Sequence, residues 1–221
     1  GKNVCDNSFI PSGMDWKEAA IAKYAAHHAV ESPFEEYEAP SSFDLSGLWR
    51  FQTDVMDFRR GSLSPRYCHA LQGEITLPGI TDDYGIGYEN DYAYVDRLTR
   101  LREYMAPAWY QRDIVFPKEW EGKRIILSME RTHWLSSVWI DKKEISRSDY
   151  VSVPHVHDIT DAVTPSGVHR VSIMVDNRFQ YPTHKWDHSH SEFTQINWNG
   201  ILGDFRLEAV DPVYLSDLPV Y

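Results

Sequence analysis

Cysteine is scarce in this chain: two residues, Cys5 and Cys68, among 221. They form no C-x-x-C pair and cannot build a zinc cluster without histidine, which excludes a cysteine-only metal or redox centre. A disulfide between them stays open, with a free pair as the expectation. Long apolar runs are missing as well. No stretch of about 18 apolar residues occurs, so a helical membrane span is excluded. There is no polybasic cluster to hold an anionic membrane surface. Positive charge is in deficit: 22 Lys and Arg stand against 33 Asp and Glu, a formal net charge of −11. Such a surface repels a phosphate backbone, so nucleic acid is not an expected partner. The Gly-x-Ser-x-Gly elbow of serine hydrolases is absent too. Internal repeats and low-complexity tracts are not found.

Aromatic residues are abundant, with 8 Trp, 13 Tyr and 9 Phe. Rings pack well on a pleated, half-buried surface, and they also stack on the CH faces of sugars. The excess alone favours the packing role. Residues 1–40 differ in texture from the rest. Ser12-Gly13-Met14-Asp15 offers capping groups, and the Ala-rich stretch Trp16 to Val30 carries Ile21, Tyr24 and Ala25 on one side. This predicts a short N-terminal helix in an appendage over 1–40, with one β-domain over 41–221. From Phe43 onward the pattern is strand and turn. Strands are expected at Leu45–Phe51, Glu74–Leu77, Trp109–Phe116, Arg124–Met129, Ser137–Ile140, Arg170–Val175 and Asp204–Ala209. Asp141-Lys142-Lys143-Glu144 reads as a hairpin turn. Short strands without long helices between them argue for an all-β sandwich. Two segments, Ile80–Pro107 and Phe179–Asn199, lack periodicity and read as long functional loops.

Five stretches taken in order resemble the N-terminal sugar-binding domain of family 2 glycoside hydrolases, the group that includes β-galactosidases and β-glucuronidases. They are Leu45-Ser46-Gly47-Leu48-Trp49-Arg50-Phe51; Ala108-Trp109-Tyr110-Gln111-Arg112; Glu130 to Trp134 with Val138-Trp139-Ile140-Asp141; Pro154 to Thr160 with Val175-Asp176-Asn177-Arg178; and Trp198-Asn199-Gly200-Ile201 running to Glu208. The turn after Ile140 departs from the Asn-Gly type usual in the family. The resemblance covers residues 43–210 and implies a jelly-roll-like, galactose-binding-domain-like β-sandwich. In the family this domain precedes an immunoglobulin-like domain and a (β/α)₈ barrel. The barrel holds both catalytic carboxylates, one within an Asn-Glu pair, and retaining hydrolysis needs two such groups about 5 Å apart. This sequence has no Asn-Glu dipeptide. No catalytic residue, cofactor or metal is therefore expected here, and the tail from Asp211 reads as a linker to a further domain.

The resemblance implies a supporting role for the domain, with loop residues that shape a sugar pocket and downstream domains of the same chain as partners. The candidate substrate-binding residues are Asn177, Arg178, Trp186, Asp187, His188 and His190, with Arg102 from the other loop. Polar groups and a ring are what a hydroxyl-rich ligand needs. An equal alternative has Asn177 and Arg178 locking the sandwich edge. Two rival functions stand beside it: a free-standing carbohydrate-binding module and a purely structural domain. His184, His188 and His190 fit no standard metal spacing, and a polar loop is expected. His155 and His157 alternate as strand residues do and share a face, so a structural role is expected for them. Asp82, Asp83, Glu89 and Asp91 crowd one loop, where solvation or calcium is more usual than catalysis. The chain begins at Gly1 and not Met, and a periplasmic or extracellular location is the expectation.

Overall fold

A computed structural model describes residues 41–56, 66–91, 93–96, 98–178 and 197–214. In chain order the strands are β1 Ser42–Asp44, β2 Gly47–Thr53, β3 Gly73–Leu77, β4 Gly79–Ile80, β5 Tyr88–Glu89, β6 Arg102–Glu103 and β7 Pro107–Val115. They continue with β8 Arg124–His133, β9 Leu135–Ile140, β10 Lys143–Ser148, β11 His155–Asp158, β12 Val168–Asp176 and β13 Gly200–Val210. Among the described residues the helical pieces are single 3₁₀ turns of three or four residues.

Two antiparallel sheets carry the fold. The first has the order β1-β13-β8-β11, with β4 beside β13; the second runs β10-β9-β12-β7-β2-β3. Alternation along the strands explains why they pack face to face. Ile125, Leu127 and Met129 of β8 and Phe205 and Leu207 of β13 point inward from the first sheet. Val171, Ile173 and Val175 of β12 and Val138 and Ile140 of β9 meet them from the second. Period-two burial of this kind is the signature of a sandwich. The result is the jelly-roll-like β-sandwich expected from the sequence.

The second sheet is covered on its outer face as well. Trp109, Leu135, Trp139 and Met174 form a smaller apolar cluster there with Leu71. Tyr67 stacks on Trp139 with ring centroids 5.5 Å apart. Gln111 pins this covering segment: its Nε2 donates to the His69 carbonyl (2.8 Å) and its Oε1 accepts from the Leu71 N–H (3.3 Å). The hairpin between β9 and β10 turns at Asp141, which sits at φ 55°. The left-handed region suits an aspartate better than most residues. Beyond the turn, β10 is interrupted by a bulge between Glu144 and Ser146.

Three readings of the sequence need comment. The stretch expected to be a patternless loop over 80–107 contains a 3₁₀ turn at Thr81–Tyr84 and a two-stranded ribbon, β5 with β6. Cys68 is buried and disulfide-bonded, against the expectation of a free pair; the other cysteine, Cys5, lies outside the described residues. So do the helix and appendage expected over 1–40.

Candidate functional site

One end of the sandwich gathers the start of β7, the end of β12, the β8–β9 corner and the start of β13. Three buried asparagines hold it together. Asn177 follows β12; its Nδ2 donates to the carbonyls of Tyr104 (2.7 Å) and Asn197 (3.0 Å), and its Oδ1 accepts from the Ala106 N–H (3.1 Å). Asn197 donates to the Asn177 carbonyl (2.8 Å), and its Oδ1 accepts from His133 Nε2 (2.9 Å). Asn199 donates to the carbonyls of Ala106 and Val175, both at 3.0 Å, and accepts from the Tyr110 hydroxyl at 3.0 Å. Asparagine suits this place because one short side chain carries two donors and an acceptor. Here it satisfies backbone groups that leave their strands and would otherwise be buried without partners.

Further buried groups extend the platform. The Tyr104 hydroxyl donates to the Pro107 carbonyl (2.6 Å) and accepts from the Asp54 N–H (3.0 Å). Burial raises the Tyr104 and Tyr110 phenols well above the usual tyrosine range, so both remain hydroxyl donors. Arg100, buried itself, clamps Asp82 through Nε (2.8 Å) and Nη2 (2.9 Å) and donates from Nη1 to the Asn197 carbonyl (2.6 Å). The acidic loop residue Asp82 is thus half of an ion pair that ties the 80–107 segment to the start of β13.

The platform has a topological consequence. Asn177 and Asn197 bond to each other across a gap of 20 positions. Residues 178–196 form the segment between them in sequence. Four of the candidate sugar-binding residues, Trp186, Asp187, His188 and His190, belong to that segment and lie outside the described residues, as does His184.

The remaining candidates sit in three different settings. Asn177 is fully buried, and its amide is engaged on both sides. Arg178 lies at the rim with its side chain 34% exposed, held in a bidentate pair with the fully buried Asp176 (3.0 and 2.7 Å). Its carbonyl accepts from Trp134 Nε1 (2.9 Å). Arg102 lies on the ribbon, where it reaches Glu89 (3.1 Å). The structure brings Asn177 and Arg178 together and leaves Arg102 on a separate element.

Sequence reasoning placed Arg100 and Tyr104 in the stretch around Arg102 that approaches the site, and Asn199 in a stretch of the family resemblance, but gave none of them a role, and it did not name Asn197. The available signal was polar residues flanking a tryptophan at Asn197-Trp198-Asn199, immediately before a strand. Chemically the end is built to hold shape. Asp176 and Asp82 face arginines, and Asp54 accepts from Trp109 Nε1 (3.0 Å). Carboxylates so engaged have their oxygens committed to structural hydrogen bonds. Among the described residues no group of three or more His, Cys, Asp or Glu could hold a metal ion.

The fold and this end define the chain as an antiparallel β-sandwich domain whose long connections converge on a buried amide platform. Its homologues are β-glucuronidases, enzymes of glycoside hydrolase family 2. The β-glucuronidase of Paenibacillus borealis is 29% identical over 140 residues, which are 63% of this chain and 22% of that protein. That of Canis lupus familiaris is 27% identical over 211 residues, 86% of this chain and 31% of that protein. Among solved structures, a β-glucuronidase of an uncultured Clostridium superposes with a TM-score of 0.60 at 20% identity, over 80% of this chain and 30% of that one. The Faecalibacterium prausnitzii β-glucuronidase gives 0.59 at 19% identity, over 82% and 33%. The chain therefore spans about a third or less of the relatives it matches. No protein-family model matches it.

Proposed function

We propose that this chain is the non-catalytic N-terminal sandwich of a family 2 glycoside hydrolase that cleaves O-glycosidic bonds of the β-glucuronide type. The domain supports the catalytic part, with Arg178 among the residues that help shape the sugar pocket. The observation that carries this reading is the amide platform, in which the buried, hydrogen-bonded side chains of Asn177 and Asn197 fix the backbone beside Arg178. A site that must present groups to a neighbouring domain needs such a rigid base.

The ribbon supports a neighbouring domain as well. Tyr88 lies opposite Glu103, and Leu101 and Met105 lie just outside β6 in sequence. Tyr88, Leu101 and Met105 are exposed, while Tyr104 between the latter two points into the core. The ribbon and its flanks thus expose apolar side chains, as interaction surfaces do. A free-standing binding module fits less well. The outer face of the first sheet carries ion pairs, Arg124 with Asp158 and Arg206 with Glu208, where a sugar platform would carry rings. On the second sheet Trp109 and Trp139 are buried beneath Tyr67. A charge of −11 leads away from nucleic acid, and the Cys68 disulfide fits an extracellular or periplasmic setting.

The test is release of 4-nitrophenol from its β-glucuronide. The 221-residue chain alone is expected to be inactive and the longer parent protein active. Arg178→Ala in the parent should lower kcat/KM by about tenfold without unfolding it, the loss of one charge-assisted contact. Turnover by the isolated chain, or wild-type kinetics in the variant, would overturn the corresponding half of the reading.

A further inference from the structure

His155 and His157 lie on β11, the outermost strand of the first sheet, while β10 is the outermost strand of the second. Both rings are buried, opposite Met129 and Leu127 of β8. They reach across the sandwich. Ser136 Oγ lies 2.7 Å from His155 Nδ1 and 3.2 Å from His157 Nε2. Ser146 Oγ lies 2.6 Å from His157 Nδ1, and His155 Nε2 lies 2.6 Å from the Tyr150 carbonyl.

These contacts fix their own direction. A carbonyl can only accept, so His155 Nε2 bears a proton. In a neutral ring Nδ1 is then an acceptor, and the Ser136 hydroxyl donates to it. That hydroxyl has one proton, so its oxygen accepts from His157 Nε2–H. His157 Nδ1 is left as an acceptor for the Ser146 hydroxyl. Four hydrogen bonds run in one sense, from β10 through β11 and β9 to the β10–β11 connection. The sequence works only while both imidazoles are neutral. A second proton on His155 would set N–H groups from both rings against Ser136 and orphan its hydroxyl. A second proton on His157 would reverse Ser146 and bury a charge beside Leu127.

We propose that this relay is an acid-released latch, which closes the sandwich along its β10–β11 edge while both rings are neutral and frees that edge when either is protonated. The surroundings agree. Burial lowers His157 from 6.5 to about 4, helped by repulsion from His155. Burial lowers His155 too, with the Tyr150 carbonyl and Asp149 opposing. Asp149 is the charged group facing the pair; the neighbours contributed by β8 and β9, Leu127, Met129, Ser136 and Val138, are uncharged. Because the folded values lie below the unfolded one, the unfolded chain binds more protons. Stability is then complete above about pH 6.5 and drains away as pH falls toward about 4. His157 alone lowers the folding constant roughly 30-fold between about pH 7.5 and pH 5.

The experiment is long-range ¹H–¹⁵N NMR on the full chain, combined with amide exchange corrected for intrinsic rates. Both rings are expected as neutral Nε2–H tautomers at pH 6. Between about pH 7 and pH 5, amides of β10 and β11 should lose protection at least tenfold and exchange through an opening smaller than global unfolding, while the centres of β7 and β12 stay better protected and follow global stability. His157→Gln keeps a donor to Ser136 without titrating, so urea titrations of this variant should show the 30-fold pH dependence largely removed. Should the variant not fold, the wild-type spectra decide alone. An Nδ1–H tautomer in either ring, ordinary titration near 6.5, or edge protection indifferent to pH would each overturn the latch.

Discussion

Replacing Asn177 by alanine removes four hydrogen bonds at once and leaves the Ala106 N–H and the Tyr104 carbonyl without their buried partner. Unsatisfied buried groups cost about 1–3 kcal/mol each, so Asn177→Ala should destabilise the chain by about 2–4 kcal/mol, read as a fall in urea midpoint at constant slope. Tyr110→Phe removes one donor, to Asn199 Oδ1, and should cost about 1–2 kcal/mol. This deficit should stay flat from neutral to mildly alkaline pH, since burial keeps the phenol protonated. The site was only partly legible for the same reason. Asn177 and Arg178 stood out through the family resemblance, in which the loop after this strand runs toward the sugar pocket. Asn199 stood in a stretch of the resemblance, but its role was hidden because its partners Tyr110, Ala106 and Val175 lie 24 to 93 positions away. Hydrogen-bond partners at such separations are set by topology, which periodicity does not encode.

At the scale of elements, the sequence was most readable where a strand buries alternate residues against the core. The expected strands at Arg124–Met129, Arg170–Val175 and Asp204–Ala209 match β8, β12 and β13. The β5–β6 ribbon was not foreseen because two paired positions are too few for a period to register. Its geometry rests on Gly87, at φ 120°, where a Cβ would run into the Glu103 carbonyl. Gly87→Ala combines a left-handed backbone with that clash. The ribbon should detach while the sandwich persists: limited proteolysis should cut between residues 88 and 105 at least tenfold faster, with the far-UV spectrum nearly unchanged. Equal protease resistance would mean that the ribbon is held by its neighbours and not by its own turn.

For the molecule as a whole, the two faces of that ribbon set how the isolated chain behaves. With Tyr88, Leu101 and Met105 uncovered, the 221-residue chain should bind an apolar dye in its native state. Leu101→Glu should reduce that fluorescence by about half without lowering the melting temperature, because Leu101 has little burial to lose. Dye binding unaffected by the change would place the apolar surface elsewhere. The outermost strand of the second sheet gives the opposite prospect. β10 presents Lys143, Glu144 and Arg147 and is kinked by its bulge. A strand so charged and bent is a poor template for a neighbour's backbone. Concentrated solutions of the chain should therefore remain free of fibrils along this margin, however readily the ribbon at the other end finds company.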